Sequence, residues 1–111
     1  MSRPRKHVDE APDVFDALAD RSRRRALELL AAGEKSVQDL TDHFPMSLAA
    51  VSQHLQVLHA AGLVKRREVG RRRLYAINRD GLVSARDWIE SLARFWDGAL
   101  DRLERHLDNS R

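Results

Sequence analysis

Between Ser47 and Ile77 the chain changes its hydrophobic period, and few folds accommodate that change. Leu48, Val51, Leu55 and Leu58 recur at steps of three and four, the spacing of one inward helix face. Ser47 suits the N-cap of this helix and Gly62 its stop. Leu63 to Val69 and Arg72 to Asn78 then alternate as paired strands would, with Gly70-Arg71 at the turn. Just upstream, Ser36 caps a short helix with Val37 and Leu40 inward, and Phe44-Pro45-Met46 breaks the chain before Ser47. Two helices joined by a tight turn and followed by a hairpin make a helix-turn-helix with a wing.

The flanks read as further helices. Pro12 fits the first turn of a helix running to about Ala19, with Val14, Phe15 and Leu18 on one side. Asp20 or Ser22 caps a second, from about Arg23 to Ala32, with Ala26, Leu27 and Leu30 inward and Gly33 after it. Asp80 caps a long last helix to about Leu107. Its apolar residues Ala85, Ile89, Leu92, Trp96, Ala99, Leu103 and Leu107 repeat by fours and threes, and Trp88, Phe95 and Leu100 widen the stripe. The expected fold is mainly α with a small β-hairpin, in the order ααααββα. Residues 1–10 form a loose basic arm, and residues 11–111 form one winged helix-turn-helix domain.

A chain of 111 residues with 42% hydrophobic and 33% charged content is expected to be globular and soluble, with a core that a second copy would help to complete. Cysteine is absent, which excludes disulfides, thiol redox sensing and thiolate metal sites. The basic start has no apolar run behind it, and no stretch approaches the ~20 apolar residues of a membrane span, so an intracellular, cytoplasmic protein is expected. No glycine-rich phosphate loop or nucleophile elbow is visible. Ser52 and His54 lie two apart on a helix and so diverge, which leaves no basis for an enzyme.

The formal net charge is only +3, but its distribution is uneven. Lys65 to Arg79 carries seven Lys/Arg and one acid, Glu68, whereas Gly81 to Arg111 carries five Arg and six Asp/Glu. The excess sits on the hairpin, as a phosphate-facing surface requires. The helix before it has no Asp, Glu, Lys or Arg between Ser47 and Lys65, although exposed helix faces usually carry them. Its outward Ser47, Ala49, Ala50, Ser52, Gln53 and Gln56 suit a DNA major groove. Short side chains permit close approach, Gln53 can pair with adenine, serines can bond phosphates, and alanines can touch a thymine methyl. His54 joins this set as a phosphate donor, or else lies across the helix and braces it. His59 is expected at the rim of the core. Arg71, Arg72 and Arg73 at the hairpin tip can grip phosphates or straddle the minor groove. Arg21, Arg23, Arg24 and Arg25 are expected in solvent or in local ion pairs.

The segments FDALADRSRRRALELLAAG, SVQDLTDHFPMSLAAVSQHLQVLHAAGLV and REVGRRRLYAI together resemble the ArsR/SmtB family of bacterial winged-helix repressors, over about Val14 to Leu107. The run V-S-x-H-L-x-x-L-x-x-A-G-L-V from Val51 to Val64, followed by G-R-x-x-x-Y, is the specific part. The resemblance implies a homodimer pairing its first and last helices and repressing operators with inverted repeats. The implied dimer surface is Phe15, Trp88, Ile89, Leu92, Phe95, Trp96, Ala99, Leu100, Leu103 and Leu107. Metal sensing does not carry over. Ser36 and Gln38 stand where some members place a Cys-x-Cys pair, and the last helix offers Asp87, Glu90, Asp97, Asp101 and Glu104 with one histidine, His106. No metal or cofactor is therefore expected, and the partners are double-stranded DNA and a second copy. The alternatives are a non-specific architectural DNA binder and a winged-helix protein-interaction module.

Overall fold

A computed structural model describes residues 13–109; the basic arm and Pro12 lie outside the described residues. The element order is α1 (Val14–Leu18), α2 (Arg21–Leu30), β1 (Lys35–Ser36), α3 (Val37–Thr41), α4 (Leu48–Ala60), β2 (Val64–Val69), β3 (Arg72–Ile77) and α5 (Arg79–Asn109). These residues divide into two compact units, one ending at Gly81 and the other starting at Leu82.

In the first unit the core is built from Leu27 and Leu30 of α2, Val37 and Leu40 of α3, Val51, Leu55 and Leu58 of α4, and Leu63, Val64 and Tyr75 of the sheet. The strands are antiparallel in the order β1-β3-β2. Sequence periodicity misses β1, because two residues are too few to alternate. Its pairing of Lys35 with Tyr75 and Ser36 with Leu74 ties the start of α3 to the wing. Ser36 is fully buried, and its hydroxyl accepts from the Asp39 N–H to cap α3.

A five-residue helix is not stable in isolation, and α1 is held at both ends. The Asp13 carboxylate accepts from the N–H groups of Phe15 and Asp16 at 2.6 and 3.0 Å. At the other end Arg23 donates to the carbonyls of Ala17 (2.7 Å) and Asp16 (3.1 Å), and Arg24 to that of Leu18 (2.8 Å). Cations at a helix C-terminus satisfy carbonyls that lack helical partners and oppose the helix dipole. The expectation of solvent or local ion pairs is therefore corrected for Arg23, which is half-buried against these carbonyls, while Arg24 is exposed as expected. Asp20, not Ser22, caps α2, which begins at Arg21.

Two further corrections concern helix ends. Leu48, expected inward, is 46% exposed. The three-four step from Val51 back to Leu48 reaches the first residue of α4, where the side chain lines a surface cleft. Asp80, expected as a cap, lies in the first turn of α5, which begins at Arg79.

The end of α4 is a compact corner. Gly62 has φ +80°, its N–H donates to the His59 carbonyl, and the Leu63 N–H reaches back to Leu58 at 3.0 Å. This is a Schellman ending, and its companion apolar residues Leu58 and Leu63 are both fully buried. The Gly62 carbonyl accepts from the Asn78 side chain at 2.8 Å, and the backbone of Gly81 lies against it. A Cβ at position 81 would collide with that carbonyl oxygen, so Gly81 is required by packing although it stands in a helix. Helix propensity alone would favour alanine there by about 1 kcal/mol. Prediction: Gly81→Ala lowers stability by about 1–3 kcal/mol, the range for overpacking against backbone, and thermal denaturation shows a lower midpoint. An unchanged or raised midpoint would refute the tight corner.

In the second unit α5 exposes one apolar series. Trp88, Ile89, Leu92, Phe95, Trp96, Leu100, Leu103 and Leu107 are 39–60% exposed, and the rings of Phe95 and Trp96 meet edge to face at 5.8 Å. Among the described residues no helix is long and apolar enough to cross a membrane.

Candidate nucleic-acid interface

The outer face of α4 is small and uncharged. Ser47, Ala49, Gln53 and Gln56 are exposed, and Ala50 and Ser52 are half-buried. The Ser47 hydroxyl accepts from the Ala50 N–H at 3.1 Å, and Gln56 donates to the Ser52 hydroxyl at 3.4 Å. Gln53 projects outward from the second turn with both ends of its amide available to a base edge. His59 is half-buried. Desolvation, with Arg66 and Arg73 nearby, lowers its pKa, so its ring is mainly neutral at neutral pH.

His54 does not share the outer face. Its side chain is only a quarter exposed and points to the start of α2. Its Nδ1 lies 3.4 Å from the Arg23 guanidinium and 3.8 Å from the Asp20 carboxylate. Asp20 is itself held below its ordinary pKa, chiefly by the backbone N–H of Arg23 and against an opposing effect of desolvation. The structure thus sets the His54 ring beside Arg23 and Asp20 at the start of α2.

The wing carries its cations unequally. Arg71 is exposed at the tip beside Gly70, whose φ of +63° makes the tight turn. Arg72 pairs with Asp39 of α3 at 3.4 Å, and Arg73 pairs with Glu68 across the hairpin at 3.0 Å. Arg67 clasps Glu34 with two hydrogen bonds of 2.8 and 2.9 Å and holds that carboxyl below its usual range. All these pairs are exposed, and pairs of that kind exchange partners at little cost. Sequence reasoning treats the three tip arginines as one group because their acids lie on other elements or across a strand.

Between the wing tip and the starts of α3 and α4 lies an open cleft of about 250 Å³. Val37 and Leu48 give it apolar surface, Gln38 and Ser52 give hydrogen-bonding groups, and Arg71 to Arg73 line its wing side together with one acid, Glu68. A sugar–phosphate strand matches that combination, with apolar sugar against the leucine and anionic oxygens against guanidinium.

Residues 20–66 match the model of the bacterial regulatory proteins of the arsR family. The HTH-type transcriptional regulator Rv2034 of Mycobacterium tuberculosis is 42% identical over 100 residues, covering 89% of this chain and 91% of that protein. The transcriptional repressor SdpR of Bacillus subtilis is 31% identical over 77 residues, 69% of this chain and 86% of its own length. The homodimeric winged helix-turn-helix DNA-binding domain of Mb0332 from Mycobacterium bovis superposes with a TM-score of 0.61 at 29% identity, covering 85% of this chain and 90% of that one. The chain is thus a winged helix-turn-helix transcriptional regulator and belongs to the ArsR family.

Proposed function

We propose that the chain is a homodimeric, sequence-specific repressor of an inverted-repeat operator, most simply its own, and that it does not respond to metal. The observation that carries the reading is the pairing of an uncharged outer face on α4 with an arginine-tipped wing across one cleft. A protein-interaction module would leave that basic tip without a purpose. A non-specific coat would call for more charge than +3. Two α4 helices in successive major grooves lie about 34 Å apart on the duplex.

The exposed stripe of α5, which includes Ala99, is a surface a second copy would bury, and Phe15 on α1 is exposed in its own unit. Eight large apolar side chains on one helix exceed what a monomer ordinarily leaves in water. The absence of metal response rests on ligand chemistry. The chain has no thiolate, and carboxylates with a single histidine on the last helix would bind zinc weakly.

Three substitutions separate the roles of wing and helix. Arg71→Ala should weaken binding to preferred and random duplexes alike, and lower the salt dependence of log K by about one. Glu68→Gln removes the charge paired with Arg73 and should tighten binding to both by roughly threefold, the scale of an exposed ion pair. Gln53→Ala should instead shrink the ratio of preferred to random affinity by about tenfold. Fluorescence anisotropy across a salt series reads all three. If Arg71→Ala changed neither affinity nor slope, the wing would not be the clamp.

Replacing Trp96 and Leu103 with aspartate should convert a dimer to a monomer in sedimentation equilibrium and abolish binding to a full operator. A dimer that survived both changes would place the interface elsewhere.

A further inference from the structure

The sequence places Arg23 in solvent or a local ion pair and leaves His54 between DNA ligand and brace; the structure brings the two together. Arg23 donates through Nε to the Ala17 carbonyl and through one terminal nitrogen to Asp16, closing the end of α1. Its other terminal nitrogen reaches His54 Nδ1 at 3.4 Å. One planar guanidinium therefore spans α1, α2 and the reading helix α4. Guanidinium has no acceptor, so the contact requires His54 Nδ1 to be unprotonated and to accept. Among the described residues the acid beside the ring is Asp20, which is 3.8 Å from the same nitrogen and is already engaged as the cap of α2 through the Arg23 N–H at 3.0 Å.

We infer that Arg23 and His54 are positioning residues for DNA recognition. They form a polar strut that fixes the rotation of α4 about its axis relative to α1, and His54 makes no contact with DNA. Val51, Leu55 and Leu58 hold α4 against the core, but apolar packing tolerates small rotations better than a directional hydrogen bond does. Gln53 precedes His54 directly, so any rotation at the strut shifts the amide that faces the base edges. The inference rests on the DNA-binding reading above, since positioning has meaning only if α4 reads bases.

Two isosteres of His54 separate strut from ligand. Asparagine places its carbonyl oxygen where Nδ1 stands, and so keeps the acceptor for Arg23. Glutamine reaches toward the Nε2 position and loses that acceptor. The probes are a preferred duplex selected from a random pool and a scrambled one, each titrated across a salt series. His54→Asn should stay within about twofold of the parent on the preferred duplex. His54→Gln and His54→Ala should each lose about tenfold there, equivalent to one hydrogen bond to a charged group. None of the three should change scrambled-duplex affinity or the salt slope, which a phosphate contact would lower by about one. Arg23→Ala combined with His54→Ala should be no weaker than the weaker single variant. The reverse order, with glutamine retaining affinity and asparagine losing it with a reduced slope, would overturn the strut and make His54 a DNA ligand.

A second readout needs no DNA. Nitrogen-15 spectra of the His54 ring in mildly alkaline buffer should show the proton on Nε2. A proton on Nδ1, bonded to Asp20, would overturn the strut. A parent protein that preferred no duplex would defeat the DNA reading, and the ring spectrum would still decide the strut.

Discussion

The reading helix has to anchor itself without using the face it shows to the outside. Most surface helices gain solubility and some stability from Glu and Lys on that face, and α4 has neither between Ser47 and Lys65. Its stability must come from the inner stripe and the two ends. Val51, Leu55 and Leu58 are buried almost completely. Ser47 caps the first turn, and the Gly62 corner closes the last through its own backbone, Asn78 and the close approach of Gly81. Apart from the Gln56–Ser52 contact, what tightens α4 lies behind it or at its ends, which leaves Ala49 and Gln53 exposed.

The wing solves a related problem with opposite means. A cluster of guanidinium groups repels itself and invites indiscriminate binding to polyanions. Here Asp39, Glu68 and Glu34 each hold one arginine, and each of those acids lies close to the α3 start or on the hairpin itself. The pairs are exposed and easily exchanged, so a phosphate in the right place can displace the acid. Arg71 needs no such exchange. This grading moderates the electrostatic pull of the wing.

Contacts within one element were legible in the sequence, and contacts between elements were not. The stripe of α4, the Ser47 cap, the Gly62 stop and the hairpin turn all depend on spacings inside one segment, and all stand where periodicity puts them. Leu48 shows the limit of that method. Its spacing matches the stripe, but the face of a helix end is decided by what lies beside it, and there it is a cleft. Arg23 fails for the same reason on a larger scale, because its partners are carbonyls of the preceding helix and a ring 31 residues away. Gly81 carries no local signal, since it is demanded by the carbonyl of Gly62. Its position three residues after Asn78, near a helix start, is the only hint available.

The central claim is that this surface reads a particular DNA sequence. The most direct test is the affinity of the purified protein for the DNA upstream of its own coding sequence against a shuffled duplex of equal composition, at physiological salt, with and without zinc. The account predicts a clear preference for the upstream duplex, about a hundredfold or more, that zinc leaves unchanged. Equal affinity for both would contradict operator recognition at its own promoter, and a zinc-dependent change would contradict the metal-independent reading.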